Sequence, residues 1–182
     1  MKYYIYDTNA NKYNTFDLPT KYQEIADIHY SPKLFQKNWK PFSISGFADN
    51  PGIDGDFPAL NDNCEFPVFS ERAWRILRPL IDGAVEALPI LSPEGKPFFL
   101  IHIVDVIACL DEEKSELRRS KIDGRVNAVF QYAFKSSLLD GKHLFRTPLE
   151  SGADVFISDT FRQTCEYEKL VGLIFIDLPL VE

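Results

Sequence analysis

Two periods of apolar residues run through this chain, one of a buried strand and one of a half-buried helix. Phe98-Phe99-Leu100-Ile101-His102-Ile103-Val104 is apolar on both faces, as a strand covered on each side requires, and the reading carries this central strand over Phe98–Cys109. Val85–Leu91 precedes it as a second strand, and Ser92-Pro93-Glu94-Gly95 between them has the chemistry of a turn. From Ser70 the spacing changes: Ala73, Trp74, Leu77, Leu80 and Ile81 fall on one face of a helix. Ser70 suits the N-cap, because its hydroxyl can accept from an unpaired first-turn amide, and Phe69 with Trp74 suits a hydrophobic staple.

The same plan occurs twice. Val68-Phe69-Ser70-Glu71-Arg72-Ala73-Trp74 and Val155-Phe156-Ile157-Ser158-Asp159-Thr160-Phe161 each lead from an apolar run through a serine and an acid into a helix. Ser158 is thus a second cap, and Glu71 and Asp159 both stand at the positive end of a helix dipole. The first helix runs to Gly83 and then Leu88-Pro89-Ile90, the second to Gly172 and then Leu178-Pro179-Leu180, with Leu173-Ile174-Phe175-Ile176 as a closing strand. This weak internal repeat organises the fold and carries no chemistry.

Elsewhere, Lys2–Asp7 and Tyr13–Asp17 read as an opening hairpin, 21–30 as a helix without a clear stripe, and Phe42–Phe47 as a strand. Residues 126–134 alternate strictly and are expected to pair with His143–Thr147 through a turn near Asp140-Gly141. Strands outnumber helices, so the expected class is α+β with a mainly antiparallel sheet. At 182 residues the expectation is a single domain over 1–182, with a strand-rich part over 1–60 that ends in a long acidic loop.

Charge narrows the partners. With 27 acids, 20 bases and a net charge of −7, the chain lacks the basic surface that nucleic acid or an anionic membrane demands, and a basic partner suits it better. The three cysteines, Cys64, Cys109 and Cys165, show neither paired nor zinc-binding spacing, so reduced thiols are expected. Met1–Asp7 is too short in apolar residues for a signal sequence and no run is long enough to span a membrane, so the expected location is cytoplasmic.

Candidate chemistry is sparse. His29, His102 and His143 supply no catalytic signature, and His102, set in apolar sequence, reads as a satisfied core residue. No nucleophile elbow, P-loop or zinc motif occurs, so neither catalytic, cofactor-binding nor metal residues are assigned. Between Lys40 and Arg72 the sequence holds Asp49, Asp54, Asp56, Asp62, Glu65 and Glu71 and no lysine or arginine. A calcium loop fails there because Pro58, Ala59 and Leu60 occupy positions that need ligands or glycine. The remaining readings are a solvated loop or an acidic docking surface, with Asp49, Asp54, Asp56, Phe57, Asp62 and Glu65 as candidate partner contacts. A second charged stretch, Asp111–Lys121, reads as a solvated connection; its Arg118, Arg119 and Lys121 are too few for a nucleic-acid signal.

The order Phe69-Ser70-Glu71-Arg72-Ala73-Trp74, Val104-Asp105-Val106-Ile107-Ala108-Cys109-Leu110-Asp111, Phe145-Arg146, Glu150-Ser151, Val155–Phe161 and Gly172-Leu173 resembles immunity-protein family eleven of bacterial polymorphic toxin systems. The resemblance covers roughly residues 65–178. It implies a cytoplasmic, non-catalytic protein encoded beside a toxin, which it binds and blocks; several such toxins are nucleases. It implies no cofactor and no direct contact with nucleic acid or membrane, and it leaves a monomer or a weak homodimer open. The alternatives are a small enzyme with a dispersed carboxylate site, and a self-associating or peptide-binding module that uses a strand edge.

Overall fold

The structure is a computed structural model that describes residues 1–19, 28, 31, 33–46, 51–60, 66–149 and 154–178. In chain order its strands are β1 (Tyr3–Thr8), β2 (Thr15–Asp17), β3 (Ser45–Gly46), β4 (Ala59–Leu60), β5 (Val68–Ser70), β6 (Val85–Leu91), β7 (Pro97–Ile103), β8 (Glu116–Arg119), β9 (Val126–Gln131), β10 (Leu144–Arg146), β11 (Val155–Ser158) and β12 (Leu173–Asp177). Two α-helices accompany them among the described residues, α1 (Glu71–Ile81) and α2 (Asp159–Tyr167). The class is α+β and mainly antiparallel. The largest sheet has the order β10-β11-β1-β12, a second has β5-β7-β6, a third β3-β2-β4, and β8 and β9 form a separate ribbon.

The sequence repeat corresponds to a repeated piece of architecture. Both β5 and β6 are antiparallel to β7, which lies between them, so β5–α1–β6 is a β-α-β unit whose two strands run the same way but are split by an inserted strand. In the same manner β11–α2–β12 is split by β1. The inserted strand follows its unit in the first case and comes from the chain's start in the second. Each helix begins at its serine: Ser70 Oγ accepts from the Ala73 amide at 3.0 Å and Ser158 Oγ from the Phe161 amide at 3.1 Å.

Alternation along the strands divides the core into three layers. Ile101 and Ile103 of β7, Tyr4 of β1, and Val155 and Ile157 of β11 face a shared interior with Phe69, Leu77, Ile81 and Phe161. Phe98 and Leu100 point to the opposite side of β7 and pack with Phe16, Phe42, Ile44, Leu88 and Ile90. Tyr3, Phe145 and Phe156 point away from the shared interior and meet Cys109, Leu110, Tyr132 and Leu139. The central strand read over Phe98–Cys109 is thus covered on both faces, yet it stops at Ile103. Beyond it the Val104 and Asp105 amides both turn to the Ala84 carbonyl, at 2.9 and 3.1 Å.

Two pairings differ from expectation. β1 and β2 form no hairpin, because β1 has apolar side chains on both faces and is taken up inside the largest sheet. β9 pairs with β8, within the stretch read as a solvated connection, while β10 pairs with β11. Leu144, Phe145 and Arg146 are all buried, so β10 needs neighbours on both faces, which the half-exposed β9 cannot supply. The helix expected over 21–30 lies outside the described residues apart from Ile28.

One carboxylate fastens the two units together. Asp56 is 7% exposed; its Oδ1 accepts from Ser70 Oγ at 2.8 Å, and its Oδ2 accepts from Arg72 Nη1 and from the Val171 amide, both at 3.0 Å. Its backbone amide donates to the Val171 carbonyl at 2.7 Å and its carbonyl accepts from the Ser70 amide at 2.8 Å. Arg72 also donates through Nη2 to the carbonyl of Glu168, the C-cap of α2. The approach is close enough to require glycine at Gly172, where φ is +105° and a Cβ would meet the Phe57 carbonyl oxygen at 3.2 Å. Asp56→Ala removes an acceptor from the part-buried Ser70 hydroxyl, the Val171 amide and the half-exposed Arg72 guanidinium, and should cost about 2–4 kcal/mol in urea denaturation. Asp54→Ala, on an exposed ion pair two residues away, should change stability by less than about 1 kcal/mol.

Candidate functional site

Around the start of α1 and the end of α2 the surface carries exposed apolar side chains beside acids. Ile53 is 49% exposed, Val171 41% and Tyr167 84%. The elements that meet there are fixed by the Asp56 network, with Ile53 and Asp54 just before it, Glu71 and Arg72 in the first turn of α1, and Glu168 and Val171 after α2. Asp54, Glu71, Arg72, Lys96 and Val171 line a shallow cleft of about 460 Å³. Lys96 hydrogen-bonds Asp54 and holds its carboxyl below the usual range, while the Asn14 amide donates to Asp54 Oδ1 at 3.0 Å. Arg72 and Lys96 are thereby engaged with acids, and Glu71 forms no ion pair among the described residues. Asp54 and Asp56 are matched by Lys96 and Arg72, which leaves Glu71 and Glu168 against the exposed Lys169, beside exposed Ile53 and Val171.

The expected contact residues divide. Asp54 is exposed and belongs to this surface. Asp56 and Phe57 do not: Asp56 is committed to the network just described, and Phe57, 1% exposed, packs edge-on against Phe69 at 5.1 Å between ring centroids. Burying them there lets the 54–57 segment bridge the two repeated units, a need that linear charge cannot reveal. Asp49, Asp62 and Glu65 lie outside the described residues. Trp39, partly buried and near β3 in sequence, donates from Nε1 to the Pro89 carbonyl at 2.8 Å. Tyr167 was not singled out from the sequence, although the spacing of buried Phe161 and Cys165 leaves it off the inward stripe of α2.

The buried polar groups are spread over separate places. His102, fully buried, has Nδ1 3.0 Å from Glu86 Oε2 and Nε2 2.9 Å from the Ser31 carbonyl, so both ring nitrogens are within hydrogen-bond reach of a partner. Glu86 also accepts from the amides of Phe35 and Gln36, at 2.8 and 2.9 Å. Burial raises its pKa, but those donors and His102 outweigh it and leave the carboxyl below its ordinary value. The dyad pins Ser31, Phe35 and Gln36 to β6 and β7 and is spent on structure. Asp154, beside the Tyr132 hydroxyl, is pushed up by burial. Burial raises the thiols of Cys109 and Cys165 to about 11 and about 12, so both are unreactive as nucleophiles near neutral pH. Among the described residues no group of three or more histidines, cysteines or carboxylates could hold a metal, and no helix is long and apolar enough to cross a membrane.

The second cap gives a pH test. Ser158 Oγ accepts from the Phe161 amide, so its own proton is available to His143 Nδ1 at 2.8 Å, an arrangement that fits a neutral ring. Burial lowers the His143 pKa accordingly. A histidine depressed on folding contributes stability that is complete above its unfolded pKa of about 6.5 and declines as pH falls through that value. His143→Gln should therefore flatten the loss of stability between roughly pH 7.5 and 5.5 relative to the unaltered chain, read from urea midpoints; parallel curves would count against it.

A model of the immunity protein family Imm11 matches residues 11–179, reaching back well before residue 65, where the resemblance in sequence began. Comparison with curated proteins gives no match. Because the match takes in most of the chain, from beyond β1 to the end of β12, this chain belongs to the Imm11 immunity protein family.

Proposed function

We propose that this immunity protein neutralises its toxin by binding it directly, performs no reaction itself, and meets a basic toxin surface with the acidic patch around Ile53, Asp54, Glu71, Tyr167, Glu168 and Val171. The observation that carries the reading is the pairing of family membership over residues 11–179 with a surface where exposed Ile53 and Val171 adjoin Asp54 and Glu71. At protein interfaces exposed apolar and aromatic groups supply most of the affinity and the charges beside them steer encounter. A nuclease is the toxin class that fits, since its nucleic-acid groove is basic and an acidic surface can occupy it. The complex would bury about 1,600 Å² or more.

The patch stands on the rigid Asp56 network, which holds it in one shape before the partner arrives. Little ordering is then needed on association. The test uses the toxin module encoded beside this chain. Co-expression should restore growth, and Asp54→Lys combined with Glu71→Lys should slow association on the order of tenfold at low salt and flatten its salt dependence. Equal rates for the variant and the unaltered chain across a salt series would remove the acidic patch from the interface.

A further inference from the structure

The β8–β9 ribbon has a structure that neither the core nor the acidic patch accounts for. Its ladder runs Glu116↔Gln131, Leu117↔Val129, Arg118↔Ala128, Arg119↔Val126, with register shifts between Glu116 and Leu117 and between Arg118 and Arg119. Phe130 and Asn127 are the extra residues on β9. Such bulged residues leave the regular pleat, so their side chains are re-aimed and the local twist increases. Arg118, on the opposite strand, engages both: its Nε donates to Asn127 Oδ1 at 3.0 Å, and its guanidinium carbon stands 5.9 Å from the centroid of the Phe130 ring. The ribbon is held to the body, since Leu117 and Val129 pack against the layer of Tyr3, Phe145 and Phe156. Its outer side is not covered, with Phe130 49% exposed and Ile122 at the tip 98% exposed.

Charge decides what this face fits. Between Arg118 and Arg125 there are four bases, Arg118, Arg119, Lys121 and Arg125, and one acid, Asp123, in a chain of net charge −7. Two of the bases are neutralised, Arg119 by Glu112 and Arg125 by Asp123 at 3.5 Å. Arg118 and Lys121 form no ion pair among the described residues, and Arg118 is instead oriented by an amide and a ring, neither of which cancels its charge. Glu116, at the body end of β8, is the exposed acid on the same strand. Arginine and aromatic side chains are enriched at protein interfaces, and the guanidinium fork matches a carboxylate. Nucleic acid fits less well, because two free cations beside one aromatic are few for a phosphate backbone and the surrounding field is acidic.

The geometry points to the outer face of the β8–β9 ribbon as a second docking surface, one that takes a carboxylate-bearing segment of the toxin, with Arg118 as its ionic anchor and Phe130 and Ile122 as its apolar contacts. This rests on the reading that the chain binds a toxin directly. It adds a contact of opposite charge, away from the acidic patch, so that the two together fix the orientation of the bound protein as well as its affinity.

The full chain is titrated against the toxin module encoded beside it, as the unaltered protein and as Arg118→Glu, Arg118→Lys, Phe130→Ala and Ile122→Ser. Arg118→Glu should weaken binding at least about tenfold, Phe130→Ala by a smaller factor, and Arg118→Lys should fall between Arg118→Glu and the unaltered chain, because it keeps the charge and loses the fork. Thermal midpoints should stay close to that of the unaltered chain, since these side chains are exposed, which separates lost contact from lost fold. Undiminished affinity of Arg118→Glu and Phe130→Ala, with a complex still formed by the unaltered chain, overturns this inference alone. Absence of any complex with the unaltered chain overturns it together with the reading beneath it. Binding of a 20-nucleotide oligo-dT that Arg118→Glu abolishes would assign the face to nucleic acid and overturn it as well.

Discussion

The fold depends on one buried carboxylate. Asp56 satisfies the cap hydroxyl of α1, a first-turn guanidinium and a backbone amide beyond α2, so a single side chain closes polar groups from three segments that are far apart in sequence. Each of those groups would otherwise be withdrawn from water without a partner, which costs more than the net worth of any one hydrogen bond. The carboxylate is also well placed electrostatically, at the positive end of α1, and Arg72 carries the connection on to a carbonyl at the end of α2. The positive end of one helix and the negative end of the other are thereby joined through an Asp–Arg pair.

This tie gives the repeated architecture its use. Two split β-α-β units each bury one face of a sheet and one stripe of a helix, and neither could shield both faces alone. Facing one another they share a central layer, and the outer faces are covered from elsewhere, by the segment around Phe16, Phe42 and Ile44 on one side and the segment around Cys109, Leu110 and Tyr132 on the other. The second unit borrows β1 as its inserted strand. β1 and β12 are therefore neighbours, which makes the largest sheet a non-local element.

Charge is divided between structure and surface in a way composition does not disclose. Asp56 and Glu86, two of the acids that could have served recognition, are buried and spent on the backbone and on Arg72 and His102. Asp54 and Glu71 remain outside, flanked by Ile53, Val171 and Tyr167. On the ribbon Arg119 and Arg125 are paired with Glu112 and Asp123, while Arg118 and Lys121 form no ion pair among the described residues. A net charge of −7 describes the whole molecule and neither of these faces.

What the residues fixed by themselves were the local elements: a both-sides-apolar strand at β7, helices starting at Ser70 and Ser158, the turn at Ser92–Gly95, and the closing strand before Leu178. Each depends on neighbours within a few positions, where periodicity and capping act directly. The family was legible too, because its strings lie on those same elements. Pairing was not legible for β1, β8, β9 and β10, since a strand's pattern states which faces must be buried and leaves open which strand supplies the edge bonds. The burial of Asp56 and Phe57 was not legible for a related reason. A loop rich in acids looks the same in sequence whether its carboxylates face water or close a gap between two helices, and only the three-dimensional approach of Ser70, Arg72 and Val171 decided that Asp56 does the second.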